Sequence, residues 1–138
     1  MGSLVKKSFA SLAVAGLAAA SVITLAPTAS ASGCTSTWLR SPGTTTDGAM
    51  VATKANSPCH DLNVSWSHNP YGNGSGYFGL YRKSSTSGWI GGSRGYVQMD
   101  NGYHDINNSY FALVTDLTPG TQFTVISRNP GDEVTIVH

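Results

Sequence analysis

Glutamate is nearly missing from this chain: Glu133 is its sole representative in 138 residues, and charged residues of every kind make up 11%. Lysine is scarce too, with Lys6, Lys7, Lys54 and Lys83 as the full set. Beyond residue 31, Ala, Leu, Glu and Lys supply only 12 of 107 residues, so no segment is rich enough in strong helix formers to read as a helix. A basic surplus is also lacking. Without Lys6 and Lys7 there are six basic against seven acidic residues, which excludes nucleic acid as the default partner. After the apolar run Phe9 to Ala26 no second hydrophobic stretch follows, which excludes a membrane-spanning chain. Two cysteines cannot make a four-cysteine zinc site.

What is present at the N-terminus has the order of a secretory leader. Lys6 and Lys7 precede the apolar run, Pro27 breaks it, and Ala29-Ser30-Ala31 offers the small residues that a signal peptidase cleaves after. Residues 1–31 are therefore read as a signal peptide, with the mature chain starting at Ser32 and the product secreted and extracellular, without a membrane association after cleavage. The leader resembles those of actinobacteria, and no twin arginine is present, so export by the general route is expected. In an oxidising compartment the even pair Cys34 and Cys59 reads as one disulfide. A competing reading takes Ala31-Ser32-Gly33-Cys34 as a lipoprotein box with Cys34 lipidated, but the box normally carries Leu first and abuts the apolar run, whereas Pro27 to Gly33 intervene here.

Residues 32–60 form a polar, disulfide-closed segment with Trp38, Leu39, Met50 and Val51 as its large apolar anchors, and 61–138 carry the core of the same domain. Short β-branched and aromatic runs alternate there with Gly, Asn, Asp and Pro clusters. Strands are predicted from Leu62 to Ser67, Tyr77 to Lys83, at Trp89 and Ile90, and from Tyr96 to Met99, Tyr110 to Asp116, Thr121 to Arg128 and Glu133 to Val137. Asp100-Asn101-Gly102 suits a type I′ hairpin turn, while Thr118-Pro119-Gly120 and Asn129-Pro130-Gly131 suit type II turns. The fold class this implies is all-β: a single small antiparallel β-sandwich, Ig-like, with one disulfide near the N-terminus. Leu62, Val64, Trp66, Leu113, Phe123, Val125 and Val134 are the predicted core. The stretch Asp116 to Val125 resembles the late corner of fibronectin type III domains, where Leu-x-Pro-Gly-Thr leads into a strand that begins aromatic-x-Val, and this implies an Ig-like sandwich and no function.

Groups for catalysis are few. His60-Asp61 and His104-Asp105 are the only His-carboxylate neighbours, and adjacent residues on a strand point to opposite faces. A glycosidase pair would have to come from Asp100, Asp105, Asp116 and Glu133, with nothing in the sequence to set their separation. Asp100 to Asp105 lacks the alternating oxygens and closing Glu of a calcium loop. No Gly-x-Ser-x-Gly elbow occurs. The sequence therefore points away from an enzyme, and no metal or cofactor is expected. Three sequons, at Asn63, Asn73 and Asn107, are expected to carry no glycan in a bacterial product.

What remains is recognition by aromatic anchors in an adaptable polar setting. Tyr77 and Tyr81 share a strand face that is assigned outward, with Arg82 beyond it, and Trp89, Arg94 and Tyr96 lie on the Gly-rich stretch that follows. These six are the predicted partner-binding residues, and the partner is another secreted protein. In outline the chain resembles the small secreted adaptor subunit of actinobacterial umbrella toxin particles, in its leader, polar N-terminal segment and compact β domain. That resemblance implies a non-enzymatic adaptor or component of an exported assembly, with the N-terminal segment as an extension. A second reading is an inhibitor of a secreted hydrolase. The size class is similar to that of the sandwich-type α-amylase inhibitors, but their Trp-Arg-Tyr warhead is absent, Trp38-Leu39-Arg40 and Leu80-Tyr81-Arg82 being poor substitutes, and only one disulfide is available. A third reading is a carbohydrate-binding module with rings laid against sugar faces.

Overall fold

The computed structural model describes residues 33–138; the signal peptide predicted over residues 1–31 and the predicted start at Ser32 lie outside the described residues. Ten strands follow in order: β1 Ser36–Arg40, β2 Ala52–Thr53, β3 Leu62–His68, β4 Gly74–Arg82, β5 Ile90–Gly91, β6 Val97–Asp100, β7 Gly102–Tyr103, β8 Ala112–Val114, β9 Gln122–Ser127 and β10 Glu133–Val137. They form two antiparallel sheets packed as a sandwich. One runs β8-β3-β10-β1 with β7 also on β3, and the other runs β2-β9-β4-β5 with β6 also on β4. Leu62, Val64, Leu113, Phe123, Val125 and Val134 are buried between the sheets, as the alternation of apolar residues predicts.

Cys34 and Cys59 are bonded to each other. The loop they close is not a free extension of the domain. Within it β1 pairs with β10 over five residues, from Ser36 opposite Val137 to Arg40 opposite Glu133. β2 pairs with β9 in the other sheet. Leu39 enters the core, so the segment supplies one strand to each layer.

Two expectations need correction. Trp66 is not in the core. Thr135 faces Trp66 while the next residue, Ile136, faces Val64, so Ser65 is an extra residue in β3. Such a bulge reverses the alternation: Leu62 and Val64 point inward before it, and Ser67 is buried after it while Trp66 turns to the outer face, half-buried. The second concerns Asp100-Asn101-Gly102, which is not a hairpin. β6 belongs to one sheet and β7 to the other, and of the two turn residues only Gly102 has positive φ, whereas a type I′ turn requires both. The chain crosses between layers here because Asn101 clamps the neighbouring loop. Its Oδ1 accepts from Asn69 N at 2.7 Å and its Nδ2 donates to Gly72 O at 2.7 Å.

A buried basic pair closes one end of the sandwich. Lys54 is almost fully buried and donates to Ala55 O at 2.7 Å; burial lowers its pKa and Asp61 partly offsets this. His138 is buried beside it, edge-on to Phe123. Its Nδ1 accepts from Ala55 N at 3.0 Å, which requires that nitrogen to be unprotonated and leaves Nε2 to donate to Thr37 Oγ1 at 2.8 Å. Burial, then the Lys54 charge, holds the His138 pKa below the usual histidine range. Burial does the same to His104, against the pull of Asp100. In the unfolded chain both histidines take up a proton at higher pH than in the fold, so the unfolded state binds more protons between the two values. Their stabilising contribution is complete above about pH 6.5 and is lost as the pH falls from there toward the lowered folded values. Urea unfolding at pH 7.5 and pH 5 should show the lower midpoint at pH 5; equal midpoints would mean that neither ring is held neutral by the fold.

Candidate functional site

β4 decides where the predicted aromatics go. Its Ser75, Tyr77, Gly79 and Tyr81 face the interior, while Phe78, Leu80 and Arg82 face out. The face assigned outward from the sequence is therefore the inner one. Tyr77 is 0% exposed and belongs to the core. Its position opposite Ser127 on the inner face of β9 leaves it no outward route, so it is withdrawn as a binding residue. Burial and the nearby Asp132 push the pKa of its hydroxyl up.

Four of the other residues are engaged within the domain. Arg94 is exposed, yet its Nη1 donates to Tyr110 O at 2.6 Å, Ala112 O at 2.8 Å and Ser109 O at 3.3 Å. Those carbonyls belong to the 3-10 turn Ser109–Phe111 and the start of β8, so Arg94 fixes the entry to that strand. Arg82 donates from Nε to Gln122 Oε1 at 2.8 Å and lays its guanidinium 4.1 Å from the centroid of Trp89. Tyr96 sits edge-on to Phe78 and under Arg128. Trp89 and Tyr96 are both half-buried against the outer face of β4.

Tyr81 has a different setting. It is half-buried at the open side of the sandwich, where β5 of one sheet approaches β8 of the other, and it stands between two adjoining clefts. The first, about 260 Å³, is lined by Tyr81, Gly91 to Arg94 and Leu113 to Thr115. The second, about 340 Å³, is lined by Tyr81, Lys83, Ile90, Val114 to Thr118 and Thr121. Tyr81, Val114 and Thr115 are common to both.

Glycine sets the floor of these clefts. A Cβ on Gly92 would come within 2.6 Å of Leu113 O, and one on Gly79 within 2.9 Å of Leu113 Cβ, so only glycine lets the strands converge here. At the far rim Asp116 is the one described non-glycine residue with positive φ, at 52°. Its N–H donates to Asp61 Oδ1 at 2.9 Å. The rim also carries Ile90, 53% exposed although its backbone is paired opposite Tyr81.

Sequence reasoning placed Tyr81 and Arg94 at this site but missed Ile90, Val114, Thr115, Asp116 and Leu117. Asp116 and Leu117 were visible as a turn before a strand, yet nothing in the sequence shows that this turn faces Gly91-Gly92 across the gap. Besides His138 on Thr37, His104 reaches a hydroxyl, with Nε2 2.8 Å from Ser67 Oγ. Ser67 is fully buried and also donates to Asp100 O at 3.1 Å, so the pair ties β3 to the crossover. Among the described residues no three His, Cys, Asp or Glu side chains are grouped to hold a metal ion. Comparison with known protein families, curated proteins and solved structures finds no match.

Proposed function

We propose that this protein is a secreted, non-enzymatic protein-binding module, an adaptor or component of an exported assembly of the antibacterial toxin type. The observation that supports this reading is the pair of clefts astride Tyr81. Apolar Ile90, Val114 and Leu117 lie there among threonines, with Lys83 and Asp116 offering one charge of each sign. Such a surface suits two neighbouring side chains of a protein partner, with an apolar centre and a polar rim. The clefts sit on backbone fixed by glycine contacts and by Arg94, so little ordering is required on binding.

A second reading, inhibition of a secreted hydrolase, draws support from the Arg82–Trp89 stack beside Tyr81, which brings a tryptophan, an arginine and a tyrosine near one another in space. Tyr81 leaves by the opposite face of β4, so the three do not make one continuous surface.

The test is recovery of the tagged protein from its own culture supernatant, as wild type and as Ile90→Asp. Ile90 is exposed, so the carboxylate should leave thermal stability within about 0.5 kcal/mol. A charge set in an apolar contact should reduce the recovered partner at least tenfold, as expected for an interface anchor. A large exported polypeptide at fixed ratio identifies an assembly, and a hydrolase with loss of activity identifies the inhibitor. Equal recovery by both proteins would remove the clefts from consideration.

A further inference from the structure

The outer face of the other sheet carries a row of rings that the clefts do not use. In register across four strands stand Trp38 of β1, Thr135 of β10, Trp66 of β3 and Tyr103 of β7. Trp38 is 46% exposed and Tyr103 66%. Trp66 reaches this face only because of the bulge at Ser65, and a bulge commonly serves to re-aim a side chain. Strands lie about 4.8 Å apart, so Trp66 and Tyr103 are one spacing apart and Trp38 and Trp66 two, roughly 10 Å.

We propose that this row is a glycan-binding strip for a neutral, extended β-1,4-linked polysaccharide laid across the strands. Such a chain, laid across strands spaced about 4.8 Å apart, would pass over Trp38, Thr135, Trp66 and Tyr103 in turn, with Trp38 and Tyr103 as its open rings and Trp66 between them, stacked on His68 with centroids 5.8 Å apart. The apolar face of a β-linked pyranose presents C–H groups, which the electron-rich face of an indole or phenol attracts. Charge fits the choice of a neutral ligand. The row itself is uncharged, and the adjacent row pairs Arg40 with Glu133 and then His68, so opposite charges offset each other while offering hydrogen bonds to sugar hydroxyls. The strip goes beyond the protein-binding reading and lies on a different surface.

The experiment measures retention of the intact secreted protein on microcrystalline cellulose and on chitin, with amylose as a helical α-linked control. Wild type should be retained on at least one of the flat β-linked polymers and not on amylose. Trp38→Ala and Tyr103→Ala should each lower the partition at least tenfold with an unchanged melting temperature, and Trp38→Phe should restore part of it. Ile90→Asp should leave retention unchanged, which keeps failure of the strip separate from failure of the clefts. No retention on either polymer, equal retention on amylose, or retention that survives both alanine variants would overturn the proposal. Loss of the protein partner, without any glycan retention, in Trp38→Ala would make the row a protein interface instead.

Discussion

Phe123→Ala should cost about 3 to 5 kcal/mol of unfolding free energy, the usual range for a large aromatic removed from a packed core. Phe123 is 0% exposed on the inner face of β9, paired opposite Tyr81 on one side and Ala52 on the other. It therefore joins three strands of one sheet. Its ring also meets the imidazole of His138 edge-on, with centroids 4.8 Å apart. Truncation leaves a cavity beside His138, a polar side chain that the core tolerates only because it is hydrogen-bonded. It cannot move in to fill the space without losing its partners. Relaxation at the site is limited, and the cost belongs in the upper part of that range. Chemical denaturation of the wild type and the variant checks this; a loss below about 1 kcal/mol would mean that Phe123 does not sit at the centre of the sandwich.

Removing the disulfide by replacing Cys34 and Cys59 with alanine should cost about 3 to 4 kcal/mol in the chain-entropy account for their separation of 25 residues. For a domain of this size that corresponds to a fall in melting temperature on the order of 15 to 25 °C. The loop so closed holds β1 and β2, one strand from each sheet. Without the bond the unfolded chain gains freedom in the one stretch whose own core contribution is little more than Leu39. Calorimetry of the double variant gives the answer, and a melting temperature within a few degrees of wild type would show that sheet pairing alone holds the segment.

The same residues show how far the sequence could be read. The β class, the disulfide and most strands follow from local signals, since alternation, turn chemistry and cysteine parity need no knowledge of the partner strand. β10 lies where it was read, Glu133–Val137. Gly120 and Gly131 have the positive φ that their Pro-Gly turns suggest. Facing is harder. On β4 both alternating sets contain apolar or aromatic residues, so period alone could not choose between Tyr77 with Tyr81 and Phe78 with Leu80, and packing against Leu113 and Phe123 settles it. On β3 a single extra residue moved Trp66 from the core to the surface, and bulges have no signal as short as one serine. Asn101 was read as turn chemistry, whereas its amide is committed to Asn69 and Gly72 more than two dozen residues away. Strand β1 was hidden in a Ser- and Thr-rich run because its stability comes from β10, at the far end of the chain.

The site was legible only in part for the same reason. Tyr81 and Arg94 were in view as residues, but their roles depend on β8, which no local pattern brings next to β5. The aromatic row is likewise a product of register. Trp38, Trp66 and Tyr103 are far apart in sequence and become neighbours only when four strands align.

Lysine scarcity offers the most direct measurement of the protein-binding account. Lys54 is buried and Lys83 is exposed on the rim of the larger cleft, so among the described lysines an amine-reactive cross-linker reports from Lys83. Cross-linking in the culture supernatant followed by peptide mass spectrometry should join Lys83 to one exported polypeptide in the wild type and lose that link in Ile90→Asp. A partner recovered in full by both proteins, with no link through Lys83 in either, would contradict the assignment of the clefts as the binding surface.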